Sequence, residues 1–177
     1  MRKLSMNELN RVSSEEFKNI LKLPVIIVLE NIRSLSNVGS FFRTADAFKI
    51  EGLYLCGITA QPPHREINKT ALGATDTVEW KYFESSVQAI EALEKKGYKT
   101  FCVEQTTQSS ILWDFEPSEN MAFIFGNEVD GVSVEALSRC AAAVEIPQAG
   151  TKHSLNVSVC GGIVMWHVFS KLMNTHQ

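Results

Sequence analysis

Four blocks of polar residues carry the side chains with chemistry to offer. The first is Asn31, Arg33, Asn37 and Arg43, and the second Glu104, Gln105 and Thr106. The third is Gly126, Asn127, Glu128, Asp130 and Gly131, and the fourth Gln148, Lys152, His153, Ser154 and Asn156. Together they supply carboxylates that can hold a proton, amides and hydroxyls that can orient a polar ligand, and guanidinium groups suited to phosphate or developing negative charge. Several standard sites are missing. No Walker A sequence is present, and no GxGxxG follows the first apolar run. There is no GxSxG elbow. His64, His153, His167 and His176 show no metal-ligand spacing with one another or with the cysteines, so no metal site is expected.

Taken singly, each of these residues has an ordinary use. Asn37 suits a helix start, Arg43 a surface ion pair, and Glu128 a solvated loop. Ser154 reads as the N-cap of the last helix and Asn156 as a residue of its first turn. Phe41 and Phe42 read as core. What gives the polar blocks weight is that each falls where a strand should end. In open α/β sheets, that rim is where ligands bind.

The elements that place them there follow from hydrophobic pattern. Ser5 to Leu23 reads as helix, with Ser13 and Glu16 as a capping box. Pro24 to Glu30, PVIIVLE, is a continuous apolar run of the kind found in a strand buried on both faces. A helix from Ser36 or Asn37 to about Lys49 follows, then a strand over Gly52 to Cys56. A short helix over Glu66 to Leu72 and a strand over Thr77 to Phe83 come next. Ser85 to Lys96 is amphipathic and ends at Gly97. Strands at Tyr98 to Val103, Met121 to Phe125 and Ala141 to Ile146 alternate with a helix at Ser133 to Cys140. The strand ending at Ile146 meets Pro147, and a polar loop leads to an apolar helix running past Trp166. Gly161 and Gly162 inside that helix each cost about 1 kcal/mol relative to Ala, which implies that another backbone packs closely there. This alternation predicts an α/β fold with a mostly parallel sheet and helices on both faces. It predicts a single domain over residues 1–177, with a short helical extension over about residues 1–23.

The totals agree. At 177 residues and 45% hydrophobic, the chain can build a full core. No apolar run approaches membrane-span length, and the N-terminus MRKLSMNELN has no apolar signal segment. The scattered Cys56, Cys102, Cys140 and Cys160 fit buried, reduced thiols and a cytoplasmic protein. A net charge of −3 and a pI near 5.8 argue against bulk attraction to nucleic acid. Any RNA binding must therefore use placed side chains.

Three of the blocks resemble the sequence motifs of the SpoU (TrmH) family of RNA ribose 2′-O-methyltransferases, within the SPOUT superfamily. The first is Asn31-x5-Asn37-x-Gly39-x3-Arg43-Thr44-Ala45, and the second Phe125-Gly126-Asn127-Glu128-x2-Gly131. The third is Ile146-Pro147-x2-Gly150-x3-Ser154-Leu155-Asn156-Val157-Ser158. Gln148 stands where methionine is frequent in the family, and Cys160 where alanine is frequent. The resemblance implies a C-terminal trefoil knot, which general topology would have argued against. It also implies a homodimer and S-adenosylmethionine as cofactor. Residues implied to bind the cofactor are Glu104, Gln105, Gly126, Asn127, Gly131, Ile146, Ser154 and Leu155. Arg43, Asn37, Glu128, Ser154 and Asn156 are implied to surround the reaction centre. Arginine stays protonated in proteins, so Arg43 is read as holding a phosphate and stabilising the oxyanion rather than as a base. In the same reading Asn37 orients the ribose, Glu128 fixes Arg43 or its loop, and Gly126 leaves room for the ligand.

About twenty residues precede the first strand, so grip on RNA is expected from the core dimer, with tRNA favoured over rRNA. Arg2, Lys3, Arg11, Arg33, Arg65, Lys69 and Lys152 are candidate phosphate contacts. The alternatives are a non-catalytic adenosine-ligand or RNA-binding module, and a small hydrolase. The hydrolase would need a nucleophile–base pair that the adjacent His153 and Ser154 do not make.

Overall fold

A computed structural model describes residues 1–5, 7–9, 11–151 and 154–175, the side chains of residues 7, 174 and 175 excepted. The described residues form one seven-stranded sheet. Its strands are β1 (Leu23–Glu30), β2 (Ile50–Cys56), β3 (Glu79–Phe83), β4 (Lys99–Val103), β5 (Ser110–Ile111), β6 (Met121–Phe125) and β7 (Ala142–Glu145). The spatial order is β3-β2-β1-β6-β4-β7-β5, and every pairing is parallel. The expected α/β class with a parallel sheet is therefore observed.

The period of two along β1 explains the layers. Val25, Ile27 and Leu29 enter one apolar cluster with residues of α2 (Leu35–Ala47), α3 (Arg65–Ala71) and α6 (Val157–Thr175). Ile26 and Val28 enter the other, with residues of α4 (Ser86–Glu94) and α5 (Val134–Arg139). All five are at most 3% exposed, which accounts for the unbroken apolar run.

Two helix starts differ from the sequence reading, and both differences matter for the site. The cap of α2 is Ser34, whose Oγ accepts the Asn37 N–H at 3.3 Å. Asn37 thus lies within the first turn, and its side chain is free for other bonds. The cap of α6 is Asn156. Its carbonyl accepts the Cys160 N–H at 2.9 Å, and its Oδ1 accepts the Ser158 N–H at 2.9 Å. Ser154 is not the cap, because the helical bonding pattern begins two residues later.

The expected helix over Ser5 to Leu23 is instead a 3₁₀ turn at Asn7–Leu9 and a short α1 at Ser14–Asn19. Ser13 is extended, which separates the two pieces, and it makes the capping box with Glu16. The residue before Pro24 is also biased away from helix. The two-residue β5 was not foreseen, since a strand that short has no readable period.

β7 pairs with both β4 and β5 and lies between these two consecutive strands. The segment 104–109 must therefore pass across the end of β7, and Ser109 Oγ donates to Glu145 Oε2 at 2.5 Å on the way.

The glycine pair in α6 separates into two cases. A Cβ on Gly161 would lie 2.1 Å from Phe41 Cε1, whereas a Cβ on Gly162 would meet nothing within 4 Å. The close neighbour at Gly161 is an aromatic ring of the same chain, not a second backbone. Phe41 is fully buried, with its ring centroid 5.3 Å from that of Phe125, so it has little room to yield. Gly161→Ala should lower stability by about 1–2 kcal/mol, since overpacking outweighs the gain in helix propensity. Urea unfolding of the variant beside the parent chain checks this.

Candidate functional site

A cavity of about 590 Å³ opens at the carboxyl ends of β4, β6 and β7. Its apolar wall includes Val103, Phe125, Val132, Ile146 and Leu155. Four carboxylates, Glu104, Glu128, Asp130 and Glu145, also line it. Among the described residues no lysine or arginine does, so the cavity favours a ligand carrying positive charge. Among the described residues, no group of three His, Cys, Asp or Glu could hold a metal ion.

The loop after β6 is folded back on itself. Gly131 N–H donates to the Asn127 carbonyl at 3.0 Å, and the two residues form an antiparallel bridge. Asn127 Oδ1 accepts the N–H groups of Val129 and Asp130, both at 2.9 Å. A Cβ on Gly126 would strike the Gly131 carbonyl carbon at 1.9 Å. The space at Gly126 is thus taken by its own loop, a nearer cause for glycine than room for a ligand. Gly131 has φ +69°, and a Cβ there would collide with Glu104 Oε2.

Two carboxylates hold this loop. Glu104, at the end of β4, accepts the Val132 N–H at 3.2 Å and the Gln105 N–H at 2.9 Å. Glu30, at the end of β1, is 4% exposed; it accepts the Ser133 N–H at 2.8 Å, the Ser133 hydroxyl at 2.7 Å and the Ser86 hydroxyl. Glu30 thus anchors the far end of the loop at the cap of α5, and no local sequence signal pointed to it.

At the lip of the cavity, three motifs meet through side chains. Asn37 Nδ2 donates to Glu128 Oε1 at 2.7 Å. Asn37 Oδ1 accepts Asn156 Nδ2 at 3.2 Å and lies 3.2 Å from the Ser158 hydroxyl. That hydroxyl also reaches Asn156 Oδ1 at 2.7 Å. Ser158 belongs to the third motif but was not singled out. Its place on the first turn of α6 is what brings it to Asn37.

The structure therefore joins Asn37, Glu128 and Asn156 directly. Ser154, Gln105, Asn127, Ile146 and Leu155 line the same cavity. Cys160 lines it too, its thiol pushed up to about 12 by burial and then by the charge of Glu104.

Arg43 lies elsewhere in the chain. It is exposed on α2 and lines a second groove of about 930 Å³ with Arg11, Asp46, Lys49 and the apolar Leu9, Val12 and Phe17. Within the chain, Glu128 bonds to Asn37 rather than to Arg43. Among the candidate phosphate contacts, Arg2 pairs with Glu8 at 2.6 Å and Lys69 with Glu66 at 2.8 Å. Lys152 and His153 lie outside the described residues.

The chain is 27% identical over 157 residues to the 23S rRNA (guanosine-2′-O-)-methyltransferase RlmB of Neisseria meningitidis, covering 88% of this chain and 62% of that one. It spans less than two thirds of that relative's length. A. aeolicus TrmH/SpoU tRNA modifying enzyme shares its fold with a TM-score of 0.82 at 20% identity, over 92% of this chain and 84% of that one. The SpoU methyltransferase AviRb from Streptomyces viridochromogenes, solved in complex with AdoMet, gives 0.79 at 19% identity, over 90% and 64% of the two chains. The profile of the SpoU rRNA Methylase family matches residues 24–166, from the start of β1 into α6. With its three motifs joined at one cavity, the chain belongs to the SpoU rRNA Methylase family.

Proposed function

We propose that the protein is an RNA methyltransferase that moves the methyl group of S-adenosylmethionine to a ribose 2′-hydroxyl. The observation that carries this reading is the Asn37–Glu128–Asn156–Ser158 cluster at the lip of an acidic, partly apolar cavity. The cavity would take the cofactor, with Ile146 and Leu155 against the adenine. Its carboxylates suit the positive sulfonium and ammonium groups. The methyl is already activated, so the chief task is alignment with the attacking oxygen. We further propose that the chain after β7 is threaded as the family's trefoil knot. The position of β7 between β4 and β5, under the 104–109 segment, supports this.

The working unit is a homodimer on this reading. Val159, Ile163, Trp166 and Met173 form an exposed apolar stripe along α6, and Trp166 is 55% exposed. α2 packs beside α6, and the ring of Phe48, the C-cap of α2, lies with its centroid 5.7 Å from that of Trp166, the two rings tilted by 50°. A second copy seated on this stripe would bring its α2, and hence Arg43, towards the cluster at the start of α6. There Arg43 would hold the phosphate next to the target ribose and stabilise the developing oxyanion. The RNA is proposed to be tRNA rather than rRNA; the A. aeolicus neighbour is described as a tRNA modifying enzyme, the Neisseria relative as an rRNA one. A non-catalytic binding module is the second reading, favoured by the separation of Arg43 from Glu128 within one protomer.

Titration with S-adenosylmethionine should release heat with saturation, and its absence at high concentration removes the cofactor reading. Methylation of total tRNA and rRNA from a deletion strain, with the modified nucleotide mapped, should label a 2′-O-methyl in tRNA; binding without transfer supports the module. Trp166→Asp should yield monomers in light scattering. Mixed dimers of Arg43→Ala and Glu128→Gln chains should regain activity that neither variant has alone. If mixing restores nothing, Arg43 does not act across the dimer. Arg43→Lys should be impaired, because an ammonium lacks the planar fork; full turnover would exclude a fork-specific role.

A further inference from the structure

We propose that Glu128 is the group that takes the proton from the attacking ribose hydroxyl, and that Asn37, Asn156 and Ser158 are the residues that aim it. This rests on the methyl-transfer reading above. The groups at the lip differ in whether they can accept a proton. Asparagine amides and serine hydroxyls do not at neutral pH, and a guanidinium keeps its own. Carboxylates remain, and their oxygens are committed to different degrees. Glu104 uses one oxygen for the Val132 N–H and the other for the Gln105 N–H. Glu145 Oε2 accepts the Ser109 hydroxyl at 2.5 Å. Asp130 Oδ2 lies 3.4 Å from Asn127 Nδ2. Among the described residues Glu145 Oε1, Asp130 Oδ1 and Glu128 Oε2 are left unbonded; of these three carboxylates Glu128 alone joins the Asn37–Asn156–Ser158 cluster, its Oε1 accepting from Asn37 at 2.7 Å.

The orientation of Asn37 is fixed by its other partners. Asn156 presents an amide N–H₂ to Asn37, so the Asn37 atom facing it must be the carbonyl oxygen. The Ser158 hydroxyl lies against the same oxygen. The Asn37 N–H₂ is then left to face Glu128, where it holds one carboxylate oxygen and leaves the second for the hydroxyl. Asn37 is 8% exposed and stands on the first turn of α2, so this alignment rests on rigid elements. Glu128 itself is exposed, which lets the carboxylic acid formed by the reaction pass its proton to water.

The step balances. The ribose 2′-O–H bond breaks, and its proton goes to Glu128 Oε2. The oxygen pair forms the bond to the methyl carbon as the carbon–sulfur bond breaks, and those electrons leave the sulfur as a neutral thioether.

The test uses the full-length protein, S-adenosylmethionine and total RNA from a deletion strain, in single-turnover methyl transfer. Glu128→Gln keeps the shape and still accepts the Asn37 N–H, yet should slow the chemical step about 100-fold or more, the range of general-base loss. Its affinity for S-adenosylmethionine should fall far less than the rate, since Glu104, Asp130 and Glu145 keep the cavity acidic and the chief loss falls on the transition state. Formate should restore the Glu128→Ala variant by about tenfold or more, and chloride should not, because only the carboxylate replaces the missing base. A Glu128→Gln rate within about threefold of the parent, or a Glu128→Ala variant indifferent to formate, overturns the assignment. Absence of both cofactor binding and transfer in the parent chain would instead remove the underlying methyl-transfer reading.

Discussion

The cavity depends on one reversal of backbone, the return of Gly126–Val132 upon itself. A fold-back this tight turns peptide groups inward, and each must find a partner or cost free energy. Asn127 satisfies two of the N–H groups from within. Glu104 reaches from β4 to take the Val132 N–H, and Glu30 reaches from β1 to take the Ser133 N–H. Neighbouring strands thus fix the loop on both sides, and Glu128 is presented at a set height above the sheet. Only then can Asn37 on α2 meet it, across 91 residues of sequence.

How far the sequence disclosed this arrangement depended on the range of the forces involved. Pro24 to Glu30 was legible as a doubly buried strand because burial on both faces leaves an unbroken apolar run, and β1 occupies Leu23–Glu30. Met121 to Phe125 was legible for the same reason and matches β6 residue for residue. The Ser13–Glu16 capping box, a contact three residues long, was also readable. The caps of α2 and α6 were not. Ser34, Ser36 and Asn37 all suit a cap, as do Ser154 and Asn156, and local preference does not rank such neighbours. Tertiary context decides between them. The consequence was considerable, because an Asn37 spent on capping would have had no side chain left for Glu128.

The two anchoring carboxylates lie at the opposite extreme. Glu104 was named a cofactor residue on the family resemblance, yet one of its oxygens accepts the N–H of its neighbour Gln105 and the other the Val132 N–H at the end of the loop after β6. Glu30 reads simply as the polar end of an apolar strand, and its bonds to Ser133 span 103 residues. Gly161 was understood in kind, as a site of close approach, but the approaching group is the Phe41 ring. Pairings of this sort leave no trace in periodicity. They appear only when topology has brought distant segments together.

That topology constrains how the molecule comes into being. β4 and β5 are made before β7, yet β7 ends up between them. The two earlier strands cannot pair with each other in the native arrangement, so during synthesis each waits with an open row of hydrogen-bonding groups. The last third of the chain must enter that gap before either edge is closed. Native contacts here span long stretches of sequence, a circumstance that slows folding and prolongs the life of sticky, half-built forms. For this protein, the same late-arriving segment that completes the cavity also ends its exposure to aggregation.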